Sequence, residues 1–186
     1  VWVWASAPPD SPVADAAMRG DTEHVRELLQ GGADVNAAQG DGMTASHWAA
    51  ELGDPDLTQM LLYAGADLQP VTRLGGYTPL HLASRNGRAD VISLLLDAGA
   101  DPGVVTSTGS ATPLHLAAIS GSVESVGVLL DAGAEVDPRE SAWGQTPLMF
   151  AAAAGRTDVV RKLLAQGANA SLTTRVLDIP VQSTED

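Results

Sequence analysis

The chain has 186 residues, a formal net charge of −13, only 10 Lys and Arg, and no cysteine. Without clustered basic residues it is a poor ligand for nucleic acid or an anionic membrane, and without thiols it has no disulfide, thiolate metal site or cysteine nucleophile. No apolar run approaches the ~18 residues of a membrane span, so membrane insertion is not expected.

Apolar residues make up 45% of the chain but aromatics only 4%, so the core has to be built from Ala, Leu and Val. Small side chains need close backbone approach, which suits stacked helices. Residues 1–10 stand apart as an N-terminal segment. Val1-Trp2-Val3-Trp4 followed by Ala5-Ser6-Ala7 reads either as the end of a secretory signal with a small-residue cleavage site or as a short strand. The default expectation is a soluble, cytoplasmic chain, with export as the alternative that Ala5-Ser6-Ala7 suggests.

From residue 11 onward the chain repeats itself. Thr78-Pro79-Leu80-His81-Leu82-Ala83 returns as Thr112-Pro113-Leu114-His115-Leu116-Ala117. Looser copies are Thr44-Ala45-Ser46-His47-Trp48-Ala49 and Thr146-Pro147-Leu148-Met149-Phe150-Ala151, and a degenerate first copy is Ser11-Pro12-Val13-Ala14-Asp15-Ala16. The threonines at 44, 78, 112 and 146 are 34 residues apart. Two glycine series keep step: Gly20, Gly53, Gly87, Gly121 and Gly155, and the Gly-Ala pairs at 32, 65, 99, 133 and 167.

Each copy has the punctuation of a helix pair. Thr or Ser caps the first helix by accepting from orphan backbone N–H groups, and Pro follows at the first helical position, where its missing N–H costs nothing. A glycine closes this helix. A second helix follows, as in Asp90-Val91-Ile92-Ser93-Leu94-Leu95-Leu96-Asp97-Ala98, with apolar residues at three- and four-residue spacing. Each pair buries its faces against the next pair, giving a quasi-one-dimensional stack. The first copy places Asp15 at a core-leucine position and His24 at an aliphatic one, as a terminal capping repeat with a solvated face does.

This pattern resembles the ankyrin repeat, whose period is ~33 residues with a T-P-L-H-x-A core. The resemblance covers about residues 11–171, with repeats at about 11–43, 44–77, 78–111, 112–145 and 146–171. It implies an all-α solenoid of about five stacked helix-turn-helix pairs with β-hairpin-like loops. The extra residue over the family period is expected in the loop before each Thr, where insertion costs least. Residues 172–186 form a tail or the start of a sixth repeat, since Ile179-Pro180-Val181 falls one residue early for a Thr-Pro-Leu.

His47, His81 and His115 occupy one position in successive repeats. Stacked helices sit about 10 Å apart, too far for two histidines to share a metal at ~2 Å bonds. The resemblance implies a structural role, bonding between repeats. No nucleophile elbow, P-loop or zincin motif is present. The chain is therefore expected to be no enzyme, with no cofactor, no metal and no small-molecule substrate.

The resemblance implies a protein partner held by the loop tips and the first-helix face. Reading the free positions of that face selects Met43, Arg73, Leu74, Tyr77, Arg85, Asn86, Ile119, Trp143 and Gln145. Tyr, Trp and Arg are the types enriched at binding hot spots, and Arg73 and Arg85 are suited to hold a partner carboxylate. The leading reading is a protein-protein interaction module. The alternative is a regulatory or inhibitory segment of a longer chain, acting in cis on an attached domain.

Overall fold

A computed structural model describes residues 11–175, and the segments around Val1–Ser6 and Ile179–Val181 lie outside them. Among the described residues there are ten helices and no strands. They are α1 (Pro12–Met18), α2 (Thr22–Gln30), α3 (Ala45–Leu52), α4 (Pro55–Tyr63), α5 (Pro79–Arg85), α6 (Ala89–Asp97), α7 (Pro113–Ser120), α8 (Val123–Asp131), α9 (Pro147–Ala153) and α10 (Thr157–Ala165). The odd-numbered helices pack on one another in order, and α4, α6, α8 and α10 form a second row behind them. This is the helix-pair solenoid expected from the repeat.

The helix starts follow from the sequence. Thr44, Thr78, Thr112 and Thr146 each sit in extended backbone as N-cap, and Pro follows in three of the four. Thr78 accepts from the His81 amide, while the His81 ring accepts from the Thr78 amide, a reciprocal capping box.

The loops before each Thr, each named for the repeat whose first helix it leads into, are turns closed by one backbone bond. In the second repeat Gln39 N–H donates to the Met43 carbonyl, four residues on, at 2.8 Å. In the later copies the bond runs five residues, from Thr72 to Tyr77, Thr106 to Ala111 and Glu140 to Gln145, each at 3.0 Å. The additional residue therefore lies at the turn, as the spacing implies. Successive turns are also joined: Arg73 N–H donates to Asp41 O, Ser107 to Gly75 O, Ser141 to Gly109 O and Arg175 to Trp143 O, at 2.8–3.0 Å. One rung per repeat ties the loop tips into a continuous edge.

The buried apolar side chains form two groups. One holds Val13, Ala16, Ala17, Val25, Val35, Ala45, Ala49, Leu57 and Leu61. The other runs from Ala50 and Leu80 to Leu163 and Ala168. The division falls where Thr58 takes the place held by Ile92 and Val126 in the next two repeats. Thr58 is buried and donates its hydroxyl to the Asp54 carbonyl at 2.7 Å, so a polar group lies where the other copies put methyls. At the N-terminal end, Asp15 and His24 are partly exposed, and Asp15 accepts from Gln39 Nε2 at 2.6 Å. Solvated groups on that face agree with a capping role.

Candidate protein-binding groove

The histidine at the start of α3, α5 and α7 sets the geometry of the loop edge. Nδ1 of His47, His81 and His115 accepts from the amide of Thr44, Thr78 and Thr112 at 3.1–3.2 Å. Because an amide can only donate, Nδ1 is unprotonated and Nε2 carries the hydrogen. Nε2 then donates into the next repeat, to the carbonyls of Tyr77, Ala111 and Gln145, at 2.9–3.2 Å. Burial pushes all three imidazoles below their ordinary value, His81 to about 4, against the opposing pull of the carbonyl acceptors. Both ring nitrogens are committed to the backbone, and no lone pair is left for a metal.

Each histidine thereby fixes the residue just before the following Thr. Two of those residues, Tyr77 and Gln145, are among the positions selected from sequence. The Tyr77 carbonyl is held by His47, and its ring lies edge-on to His81 at 6.1 Å between centroids. Tyr77 is consequently half-buried rather than a free tip. Its ring covers Gly75, where a Cβ would stand 2.3 Å from Tyr77 Cε2.

Between the second and third repeats the edge and the first helices enclose a cavity of about 340 Å³. Its walls are Met43, Trp48, Leu74, Tyr77 and Leu82, and its polar rim is Asp41, Glu51, Thr72 and Arg85. Four of the sequence-selected residues, Met43, Leu74, Tyr77 and Arg85, meet here. Leu74 is 85% exposed at the lip. Arg73 is exposed on the same turn and forms no salt bridge among the described residues.

Arg85 is not a free cation. Its guanidinium donates to Glu51 Oε2 at 3.0 Å and lies 5.6 Å from the Tyr77 ring centre. Asn86 Nδ2 donates to the same oxygen at 3.0 Å. The carboxylate that Arg85 holds is thus supplied by the preceding repeat, which makes Arg85 and Asn86 a staple across the groove floor.

The remaining positions lie outside this cavity. Ile119 is exposed at the end of α7, and Trp143 is 52% exposed at the fifth-repeat turn. Gln145 is half-buried beneath that turn, its carbonyl taken by His115.

Sequence reasoning missed Trp48 as a groove residue, whereas Glu51 was among the free positions of the first-helix face. Trp48 occupies the position of the buried Leu82 and reads as framework, but an indole is too large for that slot and stands partly out of it, its Nε1–H donating to Gln39 Oε1 at 2.8 Å. Glu140 was also missed. It is 5% exposed and accepts from the amides of Ala142, Trp143 and Gln145 at 2.6–2.9 Å. Burial alone raises the Glu140 carboxyl, but these three donors, with His115 nearby, outweigh it and hold the carboxyl below its ordinary range.

A larger cavity, about 540 Å³, lies among the fourth- and fifth-repeat loops and is lined by Pro102, Gly103, Val105, Glu135, Asp137, Arg139 and their neighbours. Val105 is its one large aliphatic side chain, so it offers an apolar anchor little to grip.

The family model for ankyrin repeats (3 copies) matches residues 13–106 and 98–174. Ankyrin repeats are generally protein-interaction modules and typically non-enzymatic scaffolds. Among the described residues no helix is long and apolar enough to cross a membrane. The capped helix pairs, the histidine bridges between repeats and the model match across nearly all of the described residues place the chain in the ankyrin-repeat family.

Proposed function

We propose that this chain binds a partner protein in the groove between its second and third repeats, taking an apolar side chain of the partner among Met43, Trp48, Leu74 and Tyr77. The observation that carries this reading is the apolar cavity of about 340 Å³ walled by two aromatic rings whose backbones are already fixed. An exposed leucine at the lip and a polar rim are what a hot spot surrounded by water-excluding contacts requires. The internal pairing of Arg85 with Glu51 leaves the floor neutral, so the groove recognises shape and apolarity before charge.

The test is capture of partners from the native source with the wild-type chain and with Leu74→Ser and Tyr77→Ala. The expected outcome is a partner retained by wild type and weakened about tenfold or more by each variant, the scale of a hot-spot loss. Melting temperature should barely move for Leu74→Ser, because that side chain is exposed. Unchanged binding by both variants sinks the assignment of this groove.

A further inference from the structure

The three later loops share one backbone closure, but the fifth-repeat loop departs from the other two at two linked positions. In the third and fourth repeats the residue under the turn is Thr72 or Thr106. Its hydroxyl accepts only from the closing amide, that of Tyr77 or Ala111, and the tip carries Gly75 or Gly109 at φ +85°. In the fifth repeat Glu140 replaces that threonine and Trp143 replaces that glycine.

A bulky residue does not take the left-handed path that the glycines take. Trp143 keeps a negative φ, and only Gly144 in this turn is left-handed, at +68°. The Glu140 side chain, longer than Thr by enough to reach the tip, satisfies the amides that the altered turn leaves facing inward. Oε2 accepts from Ala142 at 2.6 Å, and Oε1 accepts from Trp143 at 2.7 Å and from Gln145 at 2.9 Å. From the other side the Trp143 carbonyl accepts from the Arg175 amide at 2.8 Å. Arg139 and Arg175 tie down the flanking carbonyls of Gly144 and Ser141. The backbone of Trp143 is pinned at both its polar groups, yet the residue is 52% exposed.

We infer that Glu140 is a positioning residue that makes Trp143 a second, pre-set anchor for the partner, entering an apolar pocket on the partner's surface. The inference rests on the reading that the loop edge meets a protein partner. A tryptophan held in place before binding forfeits less entropy on association than a mobile one, and so is worth more as a contact. No other loop has this arrangement: Leu74 is exposed at the third-repeat tip, but Thr72 does not reach its amide.

The positioning role is tested without a partner. In the wild-type chain, amide exchange at Ala142 and Trp143 should be slower than at the equivalent tip amides Leu74, Gly75, Thr108 and Gly109 by about tenfold or more, the scale of a hydrogen bond to a charged group. Equal exchange overturns the inference even if every Glu140 variant fails to fold. With Trp2, Trp4 and Trp48 replaced by Phe, the fluorescence anisotropy of Trp143 should show a loose indole in Glu140→Thr and a restricted one again in Glu140→Gln, which keeps an acceptor for the Trp143 amide. Identical anisotropy in wild type and Glu140→Thr, with helicity intact, overturns it as well.

The contact role is read with the captured partner. Trp143→Ala should weaken binding about tenfold or more, and Glu140→Thr should weaken it by adding back the ordering cost that the pre-set state avoids. Normal binding by Trp143→Ala, alongside lost binding by Tyr77→Ala, overturns the second anchor while leaving the groove reading standing. Normal binding by both removes the groove reading itself.

Discussion

Arg156 lies across Gly121: its Nε donates to the Ile119 carbonyl at 2.8 Å, and a Cβ on Gly121 would stand 2.9 Å from Arg156 Cδ. The N-cap residue of α10, the second helix of one pair, thus covers the C-terminal end of α7 in the pair before it. Gly121 is left-handed at φ +87°, so Gly121→Ala carries both backbone strain and displacement of the arginine. Each of Gly121→Ala and Arg156→Ala should cost about 1 kcal/mol or more by denaturant unfolding. In the double variant the costs should sum to less than the two singles, because the displaced group is already gone. Strict additivity would show that the two residues do not share the site.

The buried histidines give the fold an acid limit. The unfolded chain protonates its histidines near the ordinary value of 6.5, while folded His81 does so at about 4. Above 6.5 neither state carries the proton and the full stability is present. As pH falls from 6.5 toward 4 the unfolded state takes up the proton first, and stability is lost at up to about 1.4 kcal/mol per pH unit for one histidine. His47 and His115 shift in the same direction. The urea midpoint should drop between pH 7 and pH 5, and the drop should shrink in His81→Asn. A flat midpoint across that range is the contrary result.

Ser125 is a misfit in the second row of helices. It takes the position of Leu57, Val91 and Val159, is fully buried, and its Oγ has no hydrogen-bond partner among the described residues. Ser125→Ala removes an unsatisfied hydroxyl and adds helix propensity, so it should stabilise by about 1 kcal/mol. The denaturant midpoint should rise with an unchanged slope; a lower midpoint would mean that the hydroxyl is satisfied in solution.

Leu114 is fully buried in α7, between the third and fifth repeats. Leu114→Ala should cost roughly 2–5 kcal/mol, the range for an uncollapsed cavity in a packed core. A cost under ~0.5 kcal/mol, that of an ordinary surface change, would show that the central repeat is not packed as described.

The helix pairs were legible because their signals are local. Thr-Pro marks where α5, α7 and α9 begin, and the two glycine series mark where helices end. The histidine bridges were legible through the repeat, since His47, His81 and His115 keep a fixed step. The groove was legible only in part. Met43, Leu74, Tyr77 and Arg85 stood out as deviations at free positions, whereas Trp48 hid in a framework slot. The pairing of Arg85 with Glu51 depends on which of many carboxylates the stacking brings within reach, and spacing alone does not rank them. Glu140 had a readable signal, an acid where Thr72 and Thr106 stand, but its meaning lies in three backbone amides that no sequence displays.

The break in the core at Thr58 runs beneath the groove. Trp48 packs on the N-terminal group of buried residues and Tyr77 on the C-terminal one, so the two aromatic walls belong to different halves of the core. If the N-terminal repeats open as a unit, the walls part with them. An occupant seated between the rings then works as a clasp, and its binding energy opposes that opening before it opposes any other. The break between the two groups of buried residues and the candidate mouth are the same place, which makes the grip on a partner and the integrity of the N-terminal end one linked equilibrium.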